Sequence, residues 1–280
     1  MSDETYRTMG ATPNVTRRAV AMLAAGATFY AAGQEAHGQT GQQGAGRTFV
    51  LVHGSWHGAW CWSRVMSELA AQGHRSFAVT QTGLADRKHL AAAAVDINIF
   101  VDDIVNLIEA EELTDVVLVG HSFGGIPITG AAAKIPDHIR SLVYLDAGVP
   151  ASGDSAISPL SPQEQALRRK AAVSINGVDY LMPPDSLPPF WGLSGADAAW
   201  VARRLTPHPF ATYVSALNFD EAVWERMPRT YIQCVAPRHP ALGESQARIK
   251  NDKRWKWAEI SSGHDAMVSH PQELTKLLLG

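Results

Sequence analysis

Apolar runs of strand length recur from Thr48 to the end of the chain, and between them apolar positions return at helical spacing. Thr48 to Gly54 (TFVLVHG), Ser76 to Gln81, Val116 to Gly120, Ser141 to Leu145 (SLVYL), Thr230 to Val235 (TYIQCV) and Trp255 to Ile260 (WKWAEI) make six such runs. Val116 to Gly120 is unbroken and β-branched, as in a strand covered on both faces. Trp60 to Gln72 and the stretch from Gly124 to Lys134, which stops before Pro136, read as helices. Asp96 to Glu112 places Ile97, Val101, Ile104, Val105 and Ile108 on one stripe, which predicts a scaffold helix with Asp102 and Asp103 solvated on its other face. Ser269 to Leu279 predicts a terminal helix with Ser269 and Gln272 as a capping-box pair.

This alternation predicts an α/β fold: a doubly wound, mostly parallel six-stranded sheet with right-handed crossovers. From about residue 151 to 228 the pattern lapses into Pro-rich loops, helical pieces and many aromatics. The expectation is a cap inserted between the strand ending at Asp146 and the strand starting at Thr230.

Composition narrows the class without choosing a chemistry. A chain of 280 residues with 46% hydrophobic content can bury the core of one α/β domain. A net charge of −3 offers no basic surface for nucleic acid, which leaves small molecules as the expected partners. Cys61 and Cys234 are far apart and lack metal-ligand spacing, so both read as buried thiols. The first residues differ from the rest. Thr16-Arg17-Arg18 precedes a mildly apolar, Ala-rich run and small residues near Gly33 and Gly38, a pattern resembling a twin-arginine export signal. The expected organisation is a signal over residues 1–38, a Gly- and Gln-rich linker over 39–46 and the folded domain over 47–280. The Ala-rich run is too short to span a bilayer, so export to the periplasm or medium is expected without stable membrane insertion.

Candidate chemistry gathers at the ends of the predicted strands. Gly120-His121-Ser122-Phe123-Gly124 is a G-x-S-x-G between a strand and a helix, the context in which a sharp turn presents a serine hydroxyl as a nucleophile. Asp146 ends the next strand, and Gly263-His264 follows the last one. The order is therefore nucleophile, acid, histidine, at the edge of the sheet where such folds bind ligands. A serine needs a hydrogen-bonded imidazole to accept its proton, and the imidazole needs an oriented carboxylate behind it.

From Thr48 to Leu279 the sequence resembles α/β-hydrolase-fold esterases of the group containing plant methylesterases, hydroxynitrile lyases and bacterial salicylate-esterase-like proteins. VLVHGSWHGAWCW, GHSFGG and GHDAMVSHP carry the resemblance. It implies a serine esterase that needs no cofactor, with Ser122 as nucleophile, His264 as base and the N–H groups of Ser55 and Phe123 as the oxyanion hole. In the plant enzymes the acid follows the strand after the cap, a place that here falls in Val235-Ala236-Pro237-Arg238 and holds no carboxylate. Asp146 is therefore the expected acid, with Asp220, Glu221 and Glu244 as alternatives and Asp265 turned away from its neighbour His264.

Trp56, Phe190, Trp191 and Tyr213 are the expected substrate-binding residues. Trp200 and Phe210 are further aromatics of the cap, and an apolar, aromatic wall favours small hydrophobic or aryl esters. His53 and His57 have metal-like spacing but no further ligand partners, so no metal is expected, and His121 reads as packing in the elbow. Two other functions fit the same fold. A cyanohydrin-cleaving lyase of this group uses a threonine in the oxyanion loop and a lysine after the catalytic histidine, where this chain has Gly54 and Asp265. A non-catalytic ligand-binding protein would not need Ser122 and His264.

Overall fold

A computed structural model describes residues 46–280. The expected export signal at 1–38, nearly all of the expected linker at 39–46 and the side chain of Glu244 lie outside the described residues.

In chain order, β1 (Thr48–Val52) leads through a short 3-10 turn into α1 (Ser63–Ala71), and β2 (Arg75–Val79) leads into α2 (Ile97–Ala110). Then β3 (Val116–His121) is followed by α3 (Gly125–Lys134), and β4 (Ile139–Leu145) leads to a long insertion. The insertion holds α4 (Pro162–Lys170), β5 (Val173–Ile175), β6 (Val178–Leu181), α5 (Gly195–Ala202), β7 (His208–Pro209), α6 (Ala211–Val214) and α7 (Glu221–Glu225). The chain returns to the main sheet with β8 (Arg229–Cys234), α8 (Gly243–Lys250) and β9 (Trp255–Ile260). It ends in the short α9 (Ala266–Ser269) and in α10 (Pro271–Leu279).

The main sheet has the order β2-β1-β3-β4-β8-β9 and is parallel throughout, whereas β5-β6-β7 form a small antiparallel sheet in the insertion. All six sheet strands fall on the apolar runs of the sequence. Side chains alternate between two cores, as a period of two requires: Val50 and Val52 face the core that contains Phe100 and Ile104 of α2, and Phe49 and Leu51 face the one that contains Leu69 of α1 and Leu274 of α10. Register sets the site. Val52 lies opposite Gly120, Gly120 opposite Tyr144, and Leu145 opposite Ile232, so the strands end at one level and their following loops meet there. The chain leaves β1 toward β2 on one side and returns to β3 on the other, which opens a crevice between the loops after β1 and β3.

Two expectations are corrected. Asp103 is not solvated: its side chain is only 7% exposed and pairs with Arg87 at 2.8 Å, while its carboxylate accepts from the Thr82 backbone N–H (2.6 Å) and the Thr82 hydroxyl (2.8 Å). It borders the buried stripe of α2 at the point where the loop after β2 crosses it. Asp102, one position earlier, does face solvent and pairs with Lys134. Nor do Ser269 and Gln272 cap the last helix. Pro271 occupies the first turn of α10, where its fixed φ and missing N–H are tolerated, and the cap position falls on His270. The Ser269 hydroxyl instead donates to the Asp265 carbonyl within α9, and Gln272 donates to Glu68 of α1 at 2.9 Å. Asp96 does cap α2, accepting from the N–H groups of Asn98 and Ile99. Among the described residues, no helix is long and apolar enough to cross a membrane.

Candidate active site

The elbow follows from chain geometry. Strand β3 ends at His121, a single 3-10 turn covers Ser122–Gly124, and α3 starts at Gly125. Ser122 takes φ 56°, a left-handed conformation costly for a residue with a Cβ and typical of strained functional positions. The two motif glycines make that turn possible. A Cβ on Gly120 would stand 2.6 Å from the Gly124 carbonyl oxygen, and one on Gly124 would stand 2.7 Å from that of His53. The elbow is thus pressed directly onto the end of β1.

Asp146 immediately follows β4, at φ 41°, and is fully buried. One carboxylate oxygen accepts from His264 Nδ1–H at 2.7 Å, and the other accepts from the Gln246 amide at 3.2 Å and the Cys234 N–H at 3.4 Å. An acceptor on Nδ1 fixes the tautomer of His264 and leaves Nε2 free to accept a proton. His264 and Ser122 line the same cavity, and no hydrogen bond joins the two side chains. The other acids are engaged elsewhere: Asp220 caps α7, Glu221 accepts from Ser152 N–H, and Asp265 faces His57. None of these three is bonded to His264.

The cavity beside Ser122 has a volume of about 410 Å³. Ser55, Phe123, Trp56, Phe190, Trp191 and Tyr213, all expected at the site, line it. The Tyr213 hydroxyl is bonded to the Ser55 hydroxyl, and burial, only partly offset by that bond, pushes the phenol up to about 12. Trp200 and Phe210 do not reach the cavity. Trp200 packs edge-on against Trp60 beneath the Arg204 guanidinium, and Phe210 stacks behind Tyr213 in the core.

Three parts of the site went unread in the sequence. Ile157 and Leu160, from the chain after β4, supply apolar wall, and Arg168 of α4 is a cation at the same cavity. His239 follows β8 and lies with its ring 4.5 Å from that of His264 and 4.4 Å from Phe190. Its Nδ1 accepts from Ala241 N–H, and burial, reinforced by His264, holds it down to about 3, so it is neutral. The only signal pointing to it was its place in the loop searched for an acid.

His121 and His53 are each held by neighbouring main chain. His121 is buried, donates from Nε2 to the His264 carbonyl at 3.0 Å, and is held well below its ordinary value by burial and then by His264 and His57. His53 is lowered to about 4 by burial; its Nδ1–H donates to the Gly54 carbonyl, and its Nε2 accepts from Gln81 N–H. Among the described residues, no cluster of three or more metal-ligating side chains occurs.

The sequence profile described as the alpha/beta hydrolase family matches residues 49–277. A carbendazim hydrolyzing esterase from a Nocardioides strain is 38% identical over 82% of this chain and 97% of its own length. Methylesterase 1 of Arabidopsis thaliana is 42% identical over 82% of this chain and 94% of its own length. Among solved structures, a methylesterase from Arabidopsis is 25% identical, with a TM-score of 0.65 over 83% of this chain and 97% of that one. An extracellular alpha/beta-hydrolase from a Paenibacillus species, 23% identical, superposes with a TM-score of 0.68 over 83% of this chain and 98% of that one, a likeness of fold.

Proposed function

The chain belongs to the alpha/beta hydrolase family and is a carboxylic ester hydrolase, and on that premise we propose that Ser122, His264 and Asp146 are its triad and that its substrates are small hydrophobic or aryl esters. The observation that carries the triad is the buried 2.7 Å contact between Asp146 and His264 Nδ1, with Ser122 on the same cavity wall.

In this reading His264 Nε2 takes the proton of Ser122 Oγ as the oxygen attacks the ester carbonyl. The negative charge that develops on the carbonyl oxygen is met by the N–H groups of Ser55 and Phe123, and losing one such donor typically costs about 10²–10³ in rate. His264 then hands the proton to the departing alcohol, and a water activated by the same imidazole cleaves the acyl-enzyme. Asp146 stays ionised and stabilises the imidazolium. The aromatic wall of Trp56, Phe190, Trp191 and Tyr213 supports apolar or aryl groups, and relatives named as methylesterases support a small alcohol.

Lyase chemistry has less support. A side chain at Gly54 would bring its Cβ within 2.8 Å of the Ser122 Cβ, which leaves no room for the lyases' threonine, and Asp265 stands where they carry a lysine. A purely ligand-binding role would leave the Ser122–His264–Asp146 arrangement without a purpose. The test is Ser122→Ala: turnover of a p-nitrophenyl ester and covalent labelling by an organophosphate should both be lost in a protein that keeps its fold. Wild-type turnover in that variant would reject the assignment.

We further propose that residues 1–38 direct export. The reading is supported by Arg17-Arg18 before the Ala-rich run and by the small residues around Gly33 and Gly38. Amino-terminal sequencing of protein from its native host should begin near Gly33 or Gly38, and an intact Met1 on cytoplasmic protein would reject it.

A further inference from the structure

His264 is followed directly by a second buried carboxylate. Asp265 is fully buried, and its Oδ2 lies 3.2 Å from Nε2 of His57, which is 2% exposed, in the loop after β1. The protonation of this pair follows from its other contacts. His57 Nδ1 is 2.7 Å from the Ser55 carbonyl, and a carbonyl only accepts, so Nδ1 carries a proton. Were the imidazole neutral, Nε2 would present a lone pair to the Asp265 oxygen, a contact that only a protonated carboxyl could satisfy. Both contacts are satisfied together when His57 is an imidazolium and Asp265 a carboxylate. Burial opposes that charge, but the nearby Asp265 carboxylate and its hydrogen bond outweigh burial and raise the His57 pKa. No other charged side chain is bonded to His57: Trp60 stacks on it, Trp191 packs beside it, and His121, held neutral, stands edge-on at 6.3 Å.

The pair joins two loops that must act together. One end is the residue after the base. The other grips the carbonyl of Ser55, in a loop where Trp56 is held at φ 64°, a strained conformation that persists only if its surroundings enforce it. The Trp56 carbonyl accepts from Thr206 N–H at 3.0 Å, and its indole donates to the Leu181 carbonyl at 3.0 Å, so the cap holds the outer side of the loop and His57 the inner.

We infer that the buried His57–Asp265 ion pair, set in the inner wall of the cavity, positions the oxyanion loop, locking Ser55 in register with His264, so that it supports turnover by positioning. The inference rests on the triad and oxyanion roles proposed above. Its test leaves that triad intact. Asp265→Asn removes the charge but keeps the shape, and it should lower kcat on the order of 10- to 100-fold with KM within about threefold, as expected when a catalytic donor is misplaced rather than a pocket lost.

A boronic acid that mimics the tetrahedral intermediate should weaken by the same factor as kcat. His57→Gln should behave alike, and the double variant should be no worse than the poorer single one, because both break one linkage. Retained organophosphate labelling of Ser122 in Asp265→Asn separates a failure of this inference from a failure of the triad. Should Asp265→Asn fold poorly, ¹⁵N NMR of the wild type gives the answer alone: His57 is protonated on both ring nitrogens at neutral pH. A folded Asp265→Asn enzyme with wild-type kcat and inhibitor affinity, additive losses in the double variant, or a singly protonated His57 would overturn the inference.

Discussion

The ends of the main sheet and the inserted segment between β4 and β8 meet at one cavity but reach it by different means. Ser122, Asp146 and the loop carrying Ser55 follow directly from β3, β4 and β1, whose parallel register holds their ends level. Few torsions separate each reactive group from a buried strand, so its position is over-determined. The insertion contributes Phe190, Trp191 and Tyr213 from short turns and helices, which reach the site by packing on Trp56 and Phe123 and by accepting from the backbone N–H groups of His264 and Asp265. Chemistry in this fold is set by strand ends, and the shape of the substrate pocket by segments whose sequence has far more freedom.

The largest way to break that division lies at the elbow. Gly124→Val places its first added carbon 2.7 Å from the His53 carbonyl and 2.8 Å from that of Val52, main-chain atoms that cannot give way. The expected result is loss of at least 1–3 kcal/mol, roughly the cost of overpacking, together with nearly all activity. Denaturant melts and ester turnover would check it. Normal activity would mean that the elbow does not depend on its contact with β1.

Two tryptophans of the insertion sharpen the comparison at smaller magnitude. Trp191 lines the cavity, so Trp191→Ala should raise KM for an aryl ester about tenfold more than for an acetyl ester of a short alcohol, the order expected for removing an apolar contact. Trp200 is packed on Trp60 and Arg204 away from the cavity, so Trp200→Ala should cost about 1–2 kcal/mol of stability, by loss of aromatic and cation–π contact, and leave that selectivity unchanged. Kinetics on the two esters, with thermal melts, distinguish them. A selectivity change in Trp200→Ala would show the insertion acting as one unit.

The same division explains what was legible in the sequence. All six sheet strands could be read, because buried parallel strands are continuous apolar runs, and so could the placing of Ser122, Asp146 and His264 in the loops that follow three of them. Trp56, Phe190, Trp191 and Tyr213 were picked out by type and region. Trp200 and Phe210 looked the same in sequence, since whether a cap aromatic faces inward to the cavity or into its own core is decided by tertiary packing. Asp103 and Asp265 were read as solvated or turned away, and their partners, Thr82, Arg87 and His57, lie 16 or more positions distant in the chain, where no local pattern signals them. The expected cap for α10 failed because Pro271 fixed the start of that helix.

The central claim is that this esterase draws its acid from the end of β4 and not from the loop after β8. The most direct measurement is kcat for Asp146→Asn beside Asp220→Asn and Glu221→Gln. The amide keeps the shape but disfavours the tautomer in which Nδ1 donates, and kcat should fall by something like 10⁴, as the equivalent change does in a serine-protease triad, while the other two variants stay near wild type. A folded Asp146→Asn enzyme within about tenfold of wild type would contradict the account and return the role to another carboxylate.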